Sequence, residues 1–173
     1  NPTYLLKDIL QMSYGAKAAD LGCGSMGFFV LQSAKLLGDK GLVYAVDVLK
    51  EVLSSVEGRA RQEGLYNVKT VWSNLEIVGA TKIPESSLDY TLLINTLFQT
   101  KKNQEVLKEA YRLLKIGGQL LVVDWQIGAG PIGPRPEMRL AAGMVKNLAQ
   151  AAGFQLTKEF TAGKNHYGLI FQK

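Results

Sequence analysis

A chain of 173 residues with one cysteine, Cys23, and one histidine, His166, is poor in the side chains that most often bind transition metals. A lone cysteine excludes an internal disulfide and a cysteine-rich metal site. No metal is expected, and a reducing, cytoplasmic setting is. No apolar run reaches the ~20 residues that a membrane-spanning helix needs. The opening residues, Asn1-Pro2-Thr3-Tyr4-Leu5-Leu6-Lys7, are already amphipathic and do not read as a secretion signal. Basic runs are missing too. The net charge is +5, yet Lys and Arg are scattered and Lys101-Lys102 is the only adjacent pair. Excess positive charge attracts anions. Without a basic stripe interleaved with aromatics, however, nucleic acid is not the expected partner. Internal repeats and low-complexity tracts are absent. What is there is ordinary for a globular protein, 47% hydrophobic and 20% charged. The length predicts one domain spanning 1–173.

Short runs rich in Val, Leu and Ile alternate with helical patterns, which predicts parallel α/β units. The runs are Ala16–Leu21, Leu42–Val46, Val68–Trp72, Leu88–Asn95 and Gln119–Asp124. Helices are predicted over Thr3–Met12, Phe28–Leu37, Lys50–Glu63, Asn103–Leu114 and Glu137–Ala152. Gly38, Gly64, Gly117-Gly118 and Gly153 follow four of them, where left-handed caps belong. Phe154–Phe160 and His166–Gln172 are strand-like and separated only by Thr161–Asn165. So short a link permits an antiparallel hairpin but not a parallel crossover. The expected sheet is therefore mostly parallel, with an antiparallel strand near one edge.

The segment Asp20-Leu21-Gly22-Cys23-Gly24-Ser25-Met26-Gly27-Phe28 runs from a strand through a glycine turn into a helix. Gly22 and Gly24 let the backbone approach a ligand that a Cβ would exclude. The spacing Gly22-x-Gly24-x-x-Gly27 also matches the dinucleotide fingerprint. Asp20 separates these readings. A carboxylate at the strand tip repels a pyrophosphate but suits a ligand with an ammonium group. Asp47 ends the second strand, where one carboxylate can take both hydroxyls of a ribose. It is also placed to cap the helix starting near Lys50.

Three segments carry a family resemblance. Asp20-Leu21-Gly22-Cys23-Gly24, Val43-Tyr44-Ala45-Val46-Asp47 and Arg112-Leu113-Leu114-Lys115-Ile116-Gly117-Gly118-Gln119-Leu120 resemble successive motifs of class I S-adenosylmethionine-dependent methyltransferases. Among these they are most similar to the ubiquinone/menaquinone-biosynthesis C-methyltransferase-like group, and Ser87-Leu88-Asp89-Tyr90 resembles the start of its fourth strand. The resemblance implies a single Rossmann-like, doubly wound sheet of about seven strands, mostly parallel with the last antiparallel. It implies S-adenosylmethionine as cofactor and S-adenosylhomocysteine as product. Asp20 with Gly22, Cys23, Gly24 and Ser25 would hold the methionine end. Asp47 would hold the ribose, with Val48 beside the adenine. Ser73, Asn74 and Leu75 match the stretch whose acid accepts from the adenine amino group, and Asn95 would lie beneath the sulfonium. The sequence departs from the pattern at Met26, where a third glycine is common, at Asn74, where Asp is usual, and at Gln99, where many relatives have His.

Candidates for the acceptor side lie where open α/β sheets bind ligands, beyond the strand carboxyl ends. They are Asn95, Gln99, Asp124, Trp125 and the loop Gly128–Pro136, with Arg135 as an anion clamp and His166 as a base. Phe98, Trp125 and that loop suit a partly apolar small molecule. Two other readings stand beside methyl transfer. An NAD-dependent oxidoreductase would explain the glycine spacing and Asp47 but not Asp20. A non-catalytic S-adenosylmethionine-binding module would explain the cofactor motifs alone.

Overall fold

The computed structural model describes residues 1–128 and 130–173. Its strands are β1 (Lys17–Leu21), β2 (Leu42–Asp47), β3 (Val68–Trp72), β4 (Leu88–Ile94), β5 (Leu114–Trp125), β6 (Gln155–Gly163) and β7 (His166–Gln172). They form one seven-stranded sheet in the order β3-β2-β1-β4-β5-β7-β6. The pairs from β3 through β5 are parallel. β7 runs antiparallel to both β5 and β6, as the short hairpin link requires. The helices are α1 (Phe28–Leu37), α2 (Lys50–Gln62), α3 (Asn103–Leu113) and α4 (Ala142–Ala151).

Both faces of the sheet are covered, which is why its central strands read as continuous apolar runs. On one face an N-terminal helix, α1 and α2 pack Leu5, Leu6, Val30, Ala34 and Val56 against Ala18, Val43, Leu92 and Ile170. On the other, α3 and α4 pack Val106, Leu107, Val145 and Ala149 against Leu21, Leu93, Leu120 and Leu169. Adjacent Leu92 and Leu93 thus serve opposite cores, following the two-residue period of a strand. Among the described residues no helix is long and apolar enough to cross a membrane.

The expected boundaries shift in four places, each for a local reason. The first helix is a π-type turn over Tyr4–Ile9, shorter than Thr3–Met12. Gln11, at φ 55°, breaks it. β5 begins at Leu114, not Gln119. Leu88 pairs with Leu114 and Tyr90 with Gln119, so the strand carries an irregularity between them. Gly117 (φ 82°) turns the chain inside that irregularity and donates its N–H to Lys173 O at 2.8 Å. It does not cap α3, which Leu114 ends by taking extended backbone. β6 continues to Gly163, because Thr161 and Gly163 find partners in Tyr167 and His166. Finally, α4 starts at Ala142, not Glu137. Pro136–Met138 makes a 3-10 turn, and Arg139 leaves it extended.

Candidate active site

The strand order reverses between β1 and β4, the crevice where open α/β sheets bind ligands. Two cavities adjoin there. One, of about 520 Å³, is lined by Asp47, Val48 and Leu49 after β2, Ser73, Asn74, Leu75 and Glu76 after β3, and Thr96, Thr100 and Lys101 after β4. The second, of about 370 Å³, is walled by Asp20, Cys23, Ser25, Met26, Phe28 and Asn95. Gly22, Gly24 and Gln99 line both, so the two form one cleft. A further cavity of about 520 Å³ opens near the amino ends of β2 and β3, around Gly38, Asp39 and Asn67. It lies away from the strand carboxyl ends, and none of its walls carries a buried, unpartnered polar side-chain atom.

The glycine turn is tied to the tip of β2. Gly22 and Cys23 both donate N–H to Val46 O, at 2.8 and 3.1 Å. Gly22 sits at φ 90°, and a Cβ there would come within 2.8 Å of Thr96. Gly24, at φ 63°, would meet nothing within 4 Å, so its surface is open to a ligand. Gly27 instead packs on Val56, leaving Met26 43% exposed at the rim.

Asp20 is 2% exposed, and its Oδ1 has no hydrogen-bond partner among the described residues. Burial, and then the charge of Asp47, push its pKa up to about 7. An isolated buried carboxylate is costly, so this position favours a ligand that brings a positive charge or a donor. Asn95, in the same cavity, also has a buried, unpartnered Oδ1 and takes φ 53°, unusual for a non-glycine residue. The Cys23 thiol is pushed up by burial, then by Asp20 and Asp47, which disfavours a nucleophilic thiolate.

Asp47 accepts from Gly24 N–H at 3.3 Å and from Leu49 N–H at 3.0 Å. It therefore braces the turn while facing the cavity, and α2 has no side-chain cap. Val48 and Leu49 are 56% and 55% exposed, an apolar ledge that a flat ring could cover. Ser73 is buried, with its hydroxyl against Thr81 Oγ1 at 3.1 Å. Asn74 Oδ1 accepts Glu76 N–H at 2.9 Å and retains a second lone pair.

The acceptor-side candidates divide. Gln99 lines the cleft and donates through Nε2 to Asn95 O at 2.9 Å. Phe98, Asp124, Trp125 and His166 stand at the carboxyl edge but do not wall either cavity. Asp124 is fully buried, and its two oxygens accept from Trp125 N–H at 2.8 Å and Phe98 N–H at 3.3 Å. Burial outweighs those bonds and raises its pKa to about 6. His166 stacks on Trp125 with ring centroids 4.2 Å apart, and burial lowers its pKa, favouring neutral imidazole. Arg135 is exposed, and its side chain makes no hydrogen bond or ion pair among the described residues. The neighbouring Arg139 is the buried one. Its guanidinium donates to Pro134 O, Gln126 O, Gly130 O and Ile132 O at 2.9–3.4 Å, knitting the loop. Gly133 lets that loop lie against Trp125, where a Cβ would fall 2.5 Å from the ring. Ala129, part of the expected loop, lies outside the described residues.

Glu76, Thr96 and Lys101 escaped the sequence reading. They come from two separate connections, after β3 and after β4, that only the topology assembles. Leu49 carried a legible signal, as an apolar residue just past the acid at the tip of β2.

An orphaned acid and an open glycine turn on β1, an acid on β2 and an apolar ledge beside it define a class. This is a Rossmann-like domain suited to an adenosyl ligand with a cationic amino end. The family described as "Methyltransferase domain" matches residues 13–170, and the chain belongs to it. S-adenosylmethionine is the cofactor of this class of methyltransferase. The chain is 29% identical over 115 residues to a demethylmenaquinone methyltransferase of Geobacillus sp. (strain WCH70), covering 66% of this chain and 47% of that relative. It thus spans about half the length of the curated relatives it matches. A solved SAM-dependent methyltransferase from Aquifex aeolicus superposes with TM-score 0.90 at 26% identity, over 99% of this chain and 88% of that one. The [4+2]-cyclase SpnF superposes with TM-score 0.83 at 16% identity, over 99% and 79%, and shares the fold.

Proposed function

We propose that the chain transfers a methyl group from S-adenosylmethionine to a partly apolar small molecule, as a single domain over 1–173 in the cytoplasm. The observation that carries this reading is the orphaned, buried Oδ1 of Asp20 beside the open surface of Gly24. A cationic amino group would relieve that carboxylate, and a pyrophosphate would not. Asp20 with Gly22, Cys23, Gly24 and Ser25 holds the methionine end, and Asp47 the ribose hydroxyls. Val48 and Leu75 flank the adenine, and the free lone pair of Asn74 accepts from its amino group. Ser73 shapes the wall, its hydroxyl being spent on Thr81.

When bound, the cofactor supplies an activated methyl on sulfur. Displacement in line demands alignment and exclusion of water more than proton transfer. Asn95 is suited to that task. It lines the cavity and carries a buried, unpartnered side-chain oxygen suited to orient an N–H or O–H of either ligand. Asp124 is committed to backbone N–H groups, so it positions Phe98 and does not serve as a base. The rim residues Met26 and Phe28, 43% and 59% exposed, suit an apolar acceptor. Relatives named for demethylmenaquinone point the same way.

Melting curves with S-adenosylmethionine, S-adenosylhomocysteine and NAD test the cofactor. At 100 times its dissociation constant a ligand adds about 2.7 kcal/mol of stability. Both adenosyl ligands should stabilise and NAD should not. The reverse pattern would transfer the case to the oxidoreductase reading. Binding without methyl incorporation into any quinol or phenol would favour a non-catalytic module.

A further inference from the structure

The connection after β3 forms the far wall of the larger cavity and is fastened to α3 at two points. At its distal end the buried Glu109 carboxylate accepts Gly79 N–H at 2.7 Å and Thr81 N–H at 3.2 Å. Arg112 locks it with two N–H groups at 2.9 and 2.7 Å. At the near end, Glu76 Oε1 accepts from both Lys101 N–H and Lys102 N–H, the latter at 3.1 Å. These N–H groups lead directly into α3, where the helix dipole favours an anion. Asn74, through its bond to Glu76 N–H, fixes where that side chain starts. Little apolar packing helps at this end, since Ile77 and Val78 are 55% and 42% exposed.

The two fastenings differ in kind. The Glu109 carboxylate is fully buried, so its bonds are shielded from water. The Glu76 bonds are open to solvent, where exchange with water costs little. Gly79, at φ 82° with free space around it, marks where the held end of the connection begins.

We propose that Glu76 is a positioning residue whose clasp on Lys101 and Lys102 closes the adenosine end of the cleft and sets the rate at which S-adenosylhomocysteine leaves. This rests on the methyltransferase reading above. The reach of the carboxylate matters more than its charge, because the contact is a pair of hydrogen bonds to backbone. An amide oxygen at the same distance serves, and a shorter acid does not.

The test is stopped-flow release of S-adenosylhomocysteine, well below the melting transition, followed by tryptophan fluorescence. Trp72 is a placed reporter, for its Nε1 donates at 2.8 Å to the O of Val48, which lines the same cavity. Glu76→Ala and Glu76→Asp should release product about tenfold faster, the equivalent of roughly 1.4 kcal/mol. The Michaelis constant for S-adenosylmethionine should rise with the release rate, while turnover falls less. Glu76→Gln should stay within about threefold of the parent, since it keeps an acceptor oxygen at the same reach. Should Glu76→Ala fail to fold, Glu76→Asp against Glu76→Gln decides. Unchanged release from a folded Ala or Asp variant overturns the clasp. So does a Gln variant as fast as Asp, because an acceptor oxygen at full reach would then not suffice. If the parent protein binds no S-adenosylhomocysteine, the methyltransferase reading fails first and takes this inference with it; normal binding with unaltered release sinks the clasp alone.

Discussion

At the scale of single residues, Asp20 shows how much chemistry a buried oxygen without a partner can encode. Its position two residues before Gly22 is plain in the sequence, but its burial is not, because burial depends on Thr96 and β2 closing around the turn. The consequence is a defined pH dependence. The group titrates at 3.8 ordinarily and at about 7 in the folded protein. Between those values the folded state holds a proton that the unfolded chain has released. The ligand-free protein should therefore lose stability as pH rises through that window, and the loss should be complete above it. Asp20→Asn lacks the titration. Its melting temperature should gain on the parent's as pH rises from about 4 to 7, with a constant difference outside that range. A difference that does not vary with pH would show Asp20 to be ionised throughout. Affinity for S-adenosylhomocysteine should strengthen over the same interval, since the ammonium needs the carboxylate ionised.

Arg139 makes the complementary point. The sequence reading singled out Arg135 as an anion clamp and passed over Arg139, a second basic residue beside the same loop. The structure buries the second among carbonyls of the Gly130–Pro134 stretch and leaves the first in solvent. Nothing in the spacing distinguishes them, because the choice depends on how that loop folds back over Trp125.

At the scale of elements, α3 organises the far wall of the cleft. Burial pushes Glu109 up, but its bonds from Arg112, Gly79 and Thr81 outweigh that and hold the carboxyl below the usual range. The pair is shielded unequally, with Glu109 fully buried and the Arg112 side chain 20% exposed. Removing one partner strands the other. Glu109→Ala should cost about 3 kcal/mol in urea unfolding. The paired Glu109→Leu, Arg112→Leu variant should cost less than the single one, since no unpaired buried charge remains. A double variant worse than Glu109→Ala would show the bonds from Arg112 to Thr81 O and Ile83 O to dominate. The i,i+3 spacing of Glu109 and Arg112 was visible in the sequence as a helix pair. That it reaches across to another connection was not.

At the scale of the whole molecule, the charge of +5 invites a comparison with nucleic-acid binders. Six cations are already paired in salt bridges, Lys35, Arg61, Lys108, Arg112, Lys115 and Lys146. Those bridges are spread over several elements of the fold. Binding to mixed RNA and DNA should be weak and should carry no methyl group into the nucleic acid. Phosphate contacts weaken steeply as salt rises. Submicromolar binding with a steep salt slope, together with methyl incorporation, would replace the small-molecule acceptor with a nucleic acid.

The alternation of strands and helices, the antiparallel final strand and the glycine turn after β1 were all legible in the sequence. Each follows from local physics. Periodicity selects the element, a short link forbids a parallel crossover, and glycine permits close approach. Tertiary structure alone decided which polar groups lose their water and which distant connections meet. Glu76 and Lys101 are 25 residues apart and face each other only because β1 and β4 pair in the middle of the sheet. Desolvation and long-range contact depend on every layer that closes over a residue, and no window of neighbouring residues contains that information.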